Sequence, residues 1–225
     1  MQGVPHYFLN FLDPRENFPV AKFKDKAEKK ISEIFSRKKI PFLVGGSGLF
    51  IDAVLDGFLI PKISPNTEFR KKLEKFSSEQ LFRKLQKISP EIAKKINQKN
   101  KRQIIRKLEI LEKLPAKKIF QKKKQFDEMR IIIWTDPQKL AERIEKRTEQ
   151  MWKNGFLQEV KMVIEKFGKN CPAMISHGYP EAVSFLEGKI SENEAKKLMI
   201  RNTRRYAKRQ RTWWRRHQDA FWVSL

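Results

Sequence analysis

The sequence predicts an α/β domain with parallel strands that is interrupted by an all-helical insertion. From Pro41 to Leu55, an apolar run, a glycine cluster and a helical pattern follow one another, as in parallel α/β proteins. From Pro61 to Phe126, Lys- and Glu-rich helical patterns are broken only by prolines, and no strand pattern occurs. The run MRIIIWTD, Met129 to Asp136, then restores the pattern of a buried strand.

Further elements are predicted before the insertion. The apolar stretch Val4 to Leu12 predicts a short strand. From Phe18 to Lys38 apolar residues recur at helical spacing, which predicts an amphipathic helix that Pro41 ends. The run Phe42 to Val44 predicts a second strand, which needs neighbouring strands because parallel strands are normally paired and buried.

The segment after the insertion predicts helices and a last strand. Asp136 is suited to cap a helix from Pro137 to Trp152, since proline is tolerated in a first turn, and Gly155 ends that helix. His177 to Ala182 predicts the start of another helix, and FWVSL at residues 221–225 predicts a strand. The predicted organisation is 1–60 as the first part of the core, 61–126 as the insertion and 127–225 as the second part of the core.

The stretch RNTRRYAKRQRTWWRR, Arg201 to Arg216, is rich in cations and aromatics and contains no acidic residue. Without Gly or Pro it predicts a helix, whose stripe at helical spacing comprises Met199, Thr203, Tyr206, Gln210 and Trp213. Arginine suits phosphate oxygens, and aromatics stack on unpaired bases. A polyanion-binding helix and a merely solvated one are both compatible with this pattern. The formal charge of +24 on the whole chain favours nucleic acid, an acidic membrane surface or phosphorylated metabolites as binding partners.

The glycine cluster GGSGLF, Gly45 to Phe50, is the second candidate for chemistry. Glycines after a strand let the backbone approach an anion, and the next helix offers unpaired N–H groups. No lysine follows the last glycine, so the cluster is not the GxxxxGK[ST] phosphate loop, and the GxGxxG dinucleotide motif is absent too. A tight turn that packs closely on a neighbour explains the glycines equally well.

Composition excludes several classes of protein. No run of about twenty apolar residues is present, which predicts no transmembrane helix. The start of the sequence lacks a basic segment that leads into an apolar one, so we predict no signal peptide and a cytoplasmic protein. Cys171 is the only cysteine, which excludes an intrachain disulfide and a cysteine-based zinc site.

Five collinear segments together resemble the tRNA dimethylallyltransferases, also called tRNA isopentenyltransferases. These segments are VPHYFLNFLDPRENF, IPFLVGGSGLFIDAVLDGF, NKRQIIRKLEI, SHGYPEA and RNTRRYAKRQRTWWRR, and they span essentially the whole chain. Small departures from the family pattern are Ser47 in place of threonine, Phe50 in place of tyrosine, and Gln103 in place of an arginine.

The resemblance implies transfer of a dimethylallyl group from its diphosphate to N6 of the adenosine next to the anticodon. It implies a core with a parallel sheet of the P-loop type and a helical insertion that clamps the anticodon stem-loop. It further implies Mg²⁺ as cofactor, nucleotide (ATP) binding, and a monomer when the chain is complete. Extrusion of the target base into the enzyme agrees with the physics of recognising unpaired bases.

Site residues follow from the matched motifs. The resemblance implies a substrate channel lined by Gly45, Gly46, Ser47 and Gly48. It implies tRNA binding by Arg102, Gln103, Arg106, Arg204, Arg205, Lys208, Arg209 and Gln210. No catalytic residue or metal ligand is assigned, because the family's phosphate loop and general-base aspartate precede the segment that Pro5 and His6 match.

The sequence therefore predicts an amino-truncated member of the family, with impaired transfer and a partly molten core beside a stable helical insertion. One alternative is a non-catalytic tRNA-binding protein derived from the family. Another is an α/β kinase for a small phosphorylated substrate, which agrees with the glycine cluster but leaves the Arg201 to Arg216 helix unexplained.

Overall fold

The computed structural model describes residues 3–58, 60–61, 63–116 and 123–224 of the 225-residue chain. Its α-helices are α1 (Val20–Ser36), α2 (Gly48–Leu55), α3 (Thr67–Glu74), α4 (Ser78–Ile88), α5 (Pro90–Ala93), α6 (Lys101–Leu111), α7 (Pro137–Lys153), α8 (Phe156–Phe167), α9 (Tyr179–Leu186) and α10 (Glu192–Trp214). Its strands are β1 (Ile131–Trp134) and β2 (Phe221–Ser224), and a 3₁₀ helix spans Pro172–Ile175. The fold is therefore mostly helical, with a small β component.

The two strands form a parallel pair in which Ile131 lies opposite Phe221 and Trp134 opposite Ser224. Both strands are confirmed where the apolar runs predict them. Ile131 and Ile133 are 53% and 65% exposed, although a run of isoleucines is typical of a strand with both faces buried. The parallel α/β prediction thus holds for this pair within the part of the chain that the structure describes.

Two predicted strands are wrong. Val4 to Leu12 forms no strand, because Phe8 and Asn10 have φ angles of 63° and 51°, which turn the chain where a strand needs extended backbone. Phe42 to Val44 also forms no strand, and Phe42 and Val44 are 84% and 88% exposed. An apolar run becomes a strand only when a neighbour supplies hydrogen bonds, and no described strand pairs with this one.

By the density of its contacts the chain divides into two compact units, of which the first comprises Met1–Pro19, Gly46–Gly48 and Glu128–Leu225. Its core lies among α7, α8, α9 and α10 and contains Trp152, Phe156, Val160, Cys171, Met174, Ala182, Ala195 and Met199. Asp136 caps α7 as predicted, since its carboxylate accepts from the backbone N–H groups of Gln138 and Lys139. Gly155 has a φ of 95° between α7 and α8, a conformation that favours glycine.

The second unit comprises Val20–Gly45 and Leu49–Asp127, and helices make up its regular structure. Leu81, Leu85, Ile92 and Ile104 are fully buried at its centre. The predicted helical character between 61 and 126 is confirmed for α3 to α6, while Lys62 and residues 117–122 lie outside the described residues. By its contacts, Val20–Gly45 belongs to this unit. The predicted boundaries of the helical insertion, at 60/61 and 126/127, stay predictions.

A buried carboxylate joins distant parts of the second unit. Glu109 on α6 is fully buried and accepts hydrogen bonds from Arg70 at 3.0 and 2.7 Å and from the backbone N–H of Asn66 at 2.6 Å. Arg106 donates to Glu109 at 2.5 Å and to the carbonyl of Ile63 at 2.8 Å. Because a buried charge is costly unless it is paired, this network helps to hold α3 against α6.

Candidate nucleic-acid interface

Helix α10 is the longest helix among the described residues, with 23 residues, and it carries the predicted interface. Ser191 and Glu194 form a capping box at its start, which fixes where the helix begins. Glu192 and Glu194 lie in its first turn, where negative charge is stabilising. Beyond them the helix carries cations on its solvent side, and its buried residues are Ala195 and Met199.

The helix separates apolar and cationic faces as its spacing predicts. Met199 is buried, and Thr203, Tyr206, Gln210 and Trp213 are half-buried along the same stripe. The exposed cations of this stretch are Arg201, Arg204, Arg205, Lys208, Arg209, Arg215 and Arg216. The stripe anchors the helix and leaves these cationic side chains exposed to solvent.

The glycine cluster packs directly on this stripe. A Cβ atom at Gly46 would overlap the amide of Gln210, and one at Gly48 would overlap the indole of Trp213. Between them the Ser47 hydroxyl lies 3.4 Å from the Tyr206 hydroxyl. Close packing therefore explains Gly46 and Gly48, and it brings a second hydroxyl to the exposed edge of α10.

We expect Gly48→Ala to lower the free energy of unfolding by about 1–3 kcal/mol, since a methyl group there must displace the indole of Trp213. Gly45→Ala is the matched control, because a Cβ at Gly45 would lie 3.8 Å from Ile51, an ordinary contact. Urea unfolding of both variants measures the difference. Equal midpoints for the two variants would mean that Gly48 is not held against Trp213.

The turn before α9 contributes further groups to this edge. The His177 ring lies 4.3 Å from the Tyr206 ring, centroid to centroid. Gly178 follows with a φ of 91°, and a Cβ there would come within 2.8 Å of Met199. Glu181 on α9 is buried and accepts a hydrogen bond from Asn202 of α10 at 2.6 Å. Sequence patterns indicated a helix start here, but not these contacts to α10.

The predicted RNA-binding residues of α10 differ in their partners. Arg204 donates to Glu145 of α7 at 2.5 Å, and the Arg209 guanidinium lies 5.5 Å from the centre of the Tyr206 ring. Arg205 and Lys208 make no side-chain ion pair within the described ranges, and both are exposed. Exposed cations that make no ion pair suit phosphates, and the neighbouring Tyr206 ring on the same helix offers a surface on which a base can stack.

Comparison with known proteins identifies the family. Residues 1–217 match the family model described as IPP transferase. The chain belongs to this family. It is 37% identical over 233 residues to a protein named tRNA dimethylallyltransferase from Halothermothrix orenii, covering 99% of this chain and 71% of that protein.

Solved structures of the family have the same fold. The tRNA isopentenylpyrophosphate transferase of Bacillus halodurans superposes with a TM-score of 0.72 at 35% identity, over 100% of this chain and 73% of that one. A eukaryotic dimethylallyltransferase, described as acting on tRNA, gives a TM-score of 0.80 at 25% identity, over 99% of this chain and 60% of that one. The likeness thus extends over both compact units.

The family motif on α6 lies at the start of that helix. Arg102 and Gln103 are exposed in its first turn, and Asn100 caps the helix by accepting from the Gln103 N–H at 3.1 Å. The side chain of Arg106 is engaged by Glu109 and the Ile63 carbonyl, as described above, and is about one third exposed. Contact of these three side chains with RNA stays a prediction.

The structure also bears on two further expectations. Within the described ranges no group of three or more His, Cys, Asp or Glu side chains could hold a metal ion. Of the described helices, none is both long and apolar enough to cross a bilayer.

Proposed function

We propose that this protein is a tRNA dimethylallyltransferase, which transfers the dimethylallyl group of dimethylallyl diphosphate to N6 of the adenosine next to the anticodon. The observation that carries the proposal is the α10 surface, where exposed arginines adjoin a glycine turn and an aromatic stripe. Family membership over nearly the whole chain, with relatives named for this activity, supports the same function.

The arrangement on α10 suits an extruded nucleotide of a tRNA anticodon stem-loop. Arg205 and Lys208 are exposed to pair with phosphates, and Arg209 over the ring of Tyr206 forms a flat platform for a base. The amide of Gln210 and the hydroxyl of Ser47 offer hydrogen bonds beside that platform. An unpaired base is recognised by such stacking and edge contacts once it has left the helical stack.

The finer parts of the proposal rest on the resemblance. Gly45, Gly46, Ser47 and Gly48 line the acceptor channel of a P-loop-type core, and Arg102, Gln103 and Arg106 bind the anticodon stem. The leaving diphosphate needs cationic and N–H stabilisation, which a phosphate loop supplies in this class of fold. The sequence contains no GxxxxGK[ST] motif, so the proposal assigns neither that loop nor the general base to these 225 residues.

The proposal predicts that a chimera with a family phosphate-loop segment before Val4 transfers a labelled dimethylallyl group to an anticodon stem-loop. The 225-residue chain alone should be slower by at least about 10²-fold, because general-base catalysis contributes about 10²–10⁴-fold. A stem-loop with inosine at the acceptor position is the control, since it lacks the N6 amine. The measurement is label incorporated into RNA, identified by nucleoside mass spectrometry.

The same assay separates the alternatives. A chimera that binds the stem-loop but transfers nothing would favour a tRNA-binding protein without catalysis. Transfer by the 225-residue chain at the rate of the chimera would contradict the proposed need for a phosphate loop. Incorporation in the presence of EDTA, compared with added Mg²⁺, tests the metal requirement that the resemblance implies.

A further inference from the structure

A groove between α7 and α10 forms a cationic concavity on the first unit. Its volume is about 450 Å³. It is lined by Glu145, Lys197, Ile200, Arg201, Arg204, Arg205 and Lys208. The lining thus combines five cations with a single carboxylate and one apolar side chain, that of Ile200.

The cations follow one another along the helix. Lys197, Arg201, Arg205 and Lys208 are spaced by four, four and three residues, so their side chains lie on one face of α10. Eleven residues of helix correspond to about 16 Å. A nucleic-acid strand carries one phosphate per about 3.4 Å of duplex axis, so this length accommodates several consecutive phosphates.

Most of these cations have no acidic partner. Arg201, Arg205 and Lys208 make no side-chain hydrogen bond or ion pair among the residues that the structure describes. Arg204 is the exception, since its Nη2 donates to Oε1 of Glu145 at 2.5 Å, and both side chains are about half exposed. Glu145 therefore pairs with the guanidinium of Arg204, next to cations that have no acidic partner.

We propose that this groove binds the phosphodiester backbone of the RNA substrate and that Glu145 competes with phosphate for Arg204. An exposed ion pair is weak, whereas phosphate accepts two parallel hydrogen bonds from a guanidinium and interacts with the neighbouring cations. RNA therefore displaces Glu145 from Arg204. Binding then loses the energy of the ion pair, and the carboxylate of Glu145 repels the RNA phosphates. The inference rests on the proposed function for the identity of the RNA.

If Glu145 competes with RNA, removing its charge should raise the affinity for RNA. Glu145→Gln removes the negative charge and keeps the shape of the side chain, so Arg204 becomes available and the repulsion is lost. We expect the affinity for a tRNA anticodon stem-loop to rise about threefold to tenfold at 100 mM salt, because nearby like charges oppose binding. In an Arg204→Ala background the same substitution should raise affinity less.

Glu165→Gln is the matched control, since Glu165 is exposed on α8 and lies outside the groove lining while the charge change is the same. Fluorescence anisotropy with a labelled stem-loop measures affinity for the wild type, both variants and the Arg204→Ala pair. Calorimetry with inorganic pyrophosphate forms a second arm, which separates RNA phosphate from a free diphosphate as the ligand of Arg204.

Tighter RNA binding by Glu145→Gln alone supports the inference. Unchanged RNA affinity, an equal gain in Glu165→Gln, or a gain confined to pyrophosphate would overturn it. Dimethylallyl transfer by the chimera together with any of these outcomes would remove the groove inference and leave the proposed function intact.

Discussion

Replacing Glu109 by glutamine should lower the free energy of unfolding of the second unit by about 3 kcal/mol. Its carboxylate is fully buried and accepts hydrogen bonds from Arg70, Arg106 and the Asn66 backbone N–H. Breaking a buried ion pair costs about 3–5 kcal/mol. We place the effect at the lower end because Arg70 and Arg106 are about one third exposed and water can solvate them once the charge is lost.

Glu112→Gln is the control for this change, since Glu112 is the exposed C-cap residue of the same helix. Urea unfolding gives the stability of each variant, and hydrogen exchange at Ile104, Ile105 and Leu108 reports on the unit itself. We expect faster exchange at these buried positions in Glu109→Gln only. The same exchange rates in both variants would mean that the network does not stabilise this unit.

The acid sensitivity of this unit should follow from the same network. Burial raises the pKa of Glu109, but hydrogen bonds from Arg70, Arg106 and the Asn66 N–H lower it further, to about 2 from 4.5. A carboxyl whose folded pKa lies below its unfolded value stabilises the fold above the unfolded value. This stabilisation should be lost as pH falls from about 4.5 towards 2, and Glu109→Gln should show a weaker loss over that range.

Local patterns predicted α1, α2, α7, the start of α9, the basic part of α10 and the two strands, whereas α8 was not predicted. The apolar spacing of α1, the cap at Asp136 and the length of α7 depend on neighbours in sequence, so they could be inferred without tertiary information. The two failed strand predictions have different physical reasons. Positive φ angles at Phe8 and Asn10 turn the chain between Val4 and Leu12. Phe42 to Val44 has no described strand to pair with, and an apolar run becomes a strand only when a neighbour supplies hydrogen bonds.

The candidate site could be predicted only in part. The two faces of α10 follow from helical spacing, and the family resemblance singled out its cations. The approach of Ser47 to Tyr206 joins residues 159 positions apart, and the pairing of Arg70 with Glu109 joins residues 39 apart. Contacts between residues so far apart in the sequence cannot be predicted from local patterns. The glycines of the turn left packing and anion binding equally open, and the structure shows that Gly46 and Gly48 meet packing needs.

The second large effect concerns RNA. Replacing Arg205 and Lys208 together by alanine should lower the affinity for an anticodon stem-loop about 100-fold at 50 mM salt. Both side chains are exposed on α10 and unpaired within the described ranges. A hydrogen bond to a charged group contributes about 1.5 kcal/mol or more, and two such losses correspond to a factor of about 100.

The control for charge is Lys153→Ala with Lys161→Ala, which removes two exposed lysines from α7 and α8. Neither lysine lines the α7–α10 groove. If binding depended only on the net charge of +24, this control would lose as much affinity as the α10 double variant. We expect it to lose less than threefold, because phosphates close to a cation dominate the interaction.

The salt dependence of stem-loop affinity is the most direct test that α10 binds RNA through its phosphates. Each phosphate contact contributes about 0.7–0.9 to the slope of log affinity against log salt. We expect the slope of the Arg205→Ala, Lys208→Ala variant to be shallower than that of the wild type by about 1.4–1.8, whereas the lysine control keeps the wild-type slope. Equal slopes for all three proteins would contradict this expectation and would leave α10 as a structural helix with a solvated face.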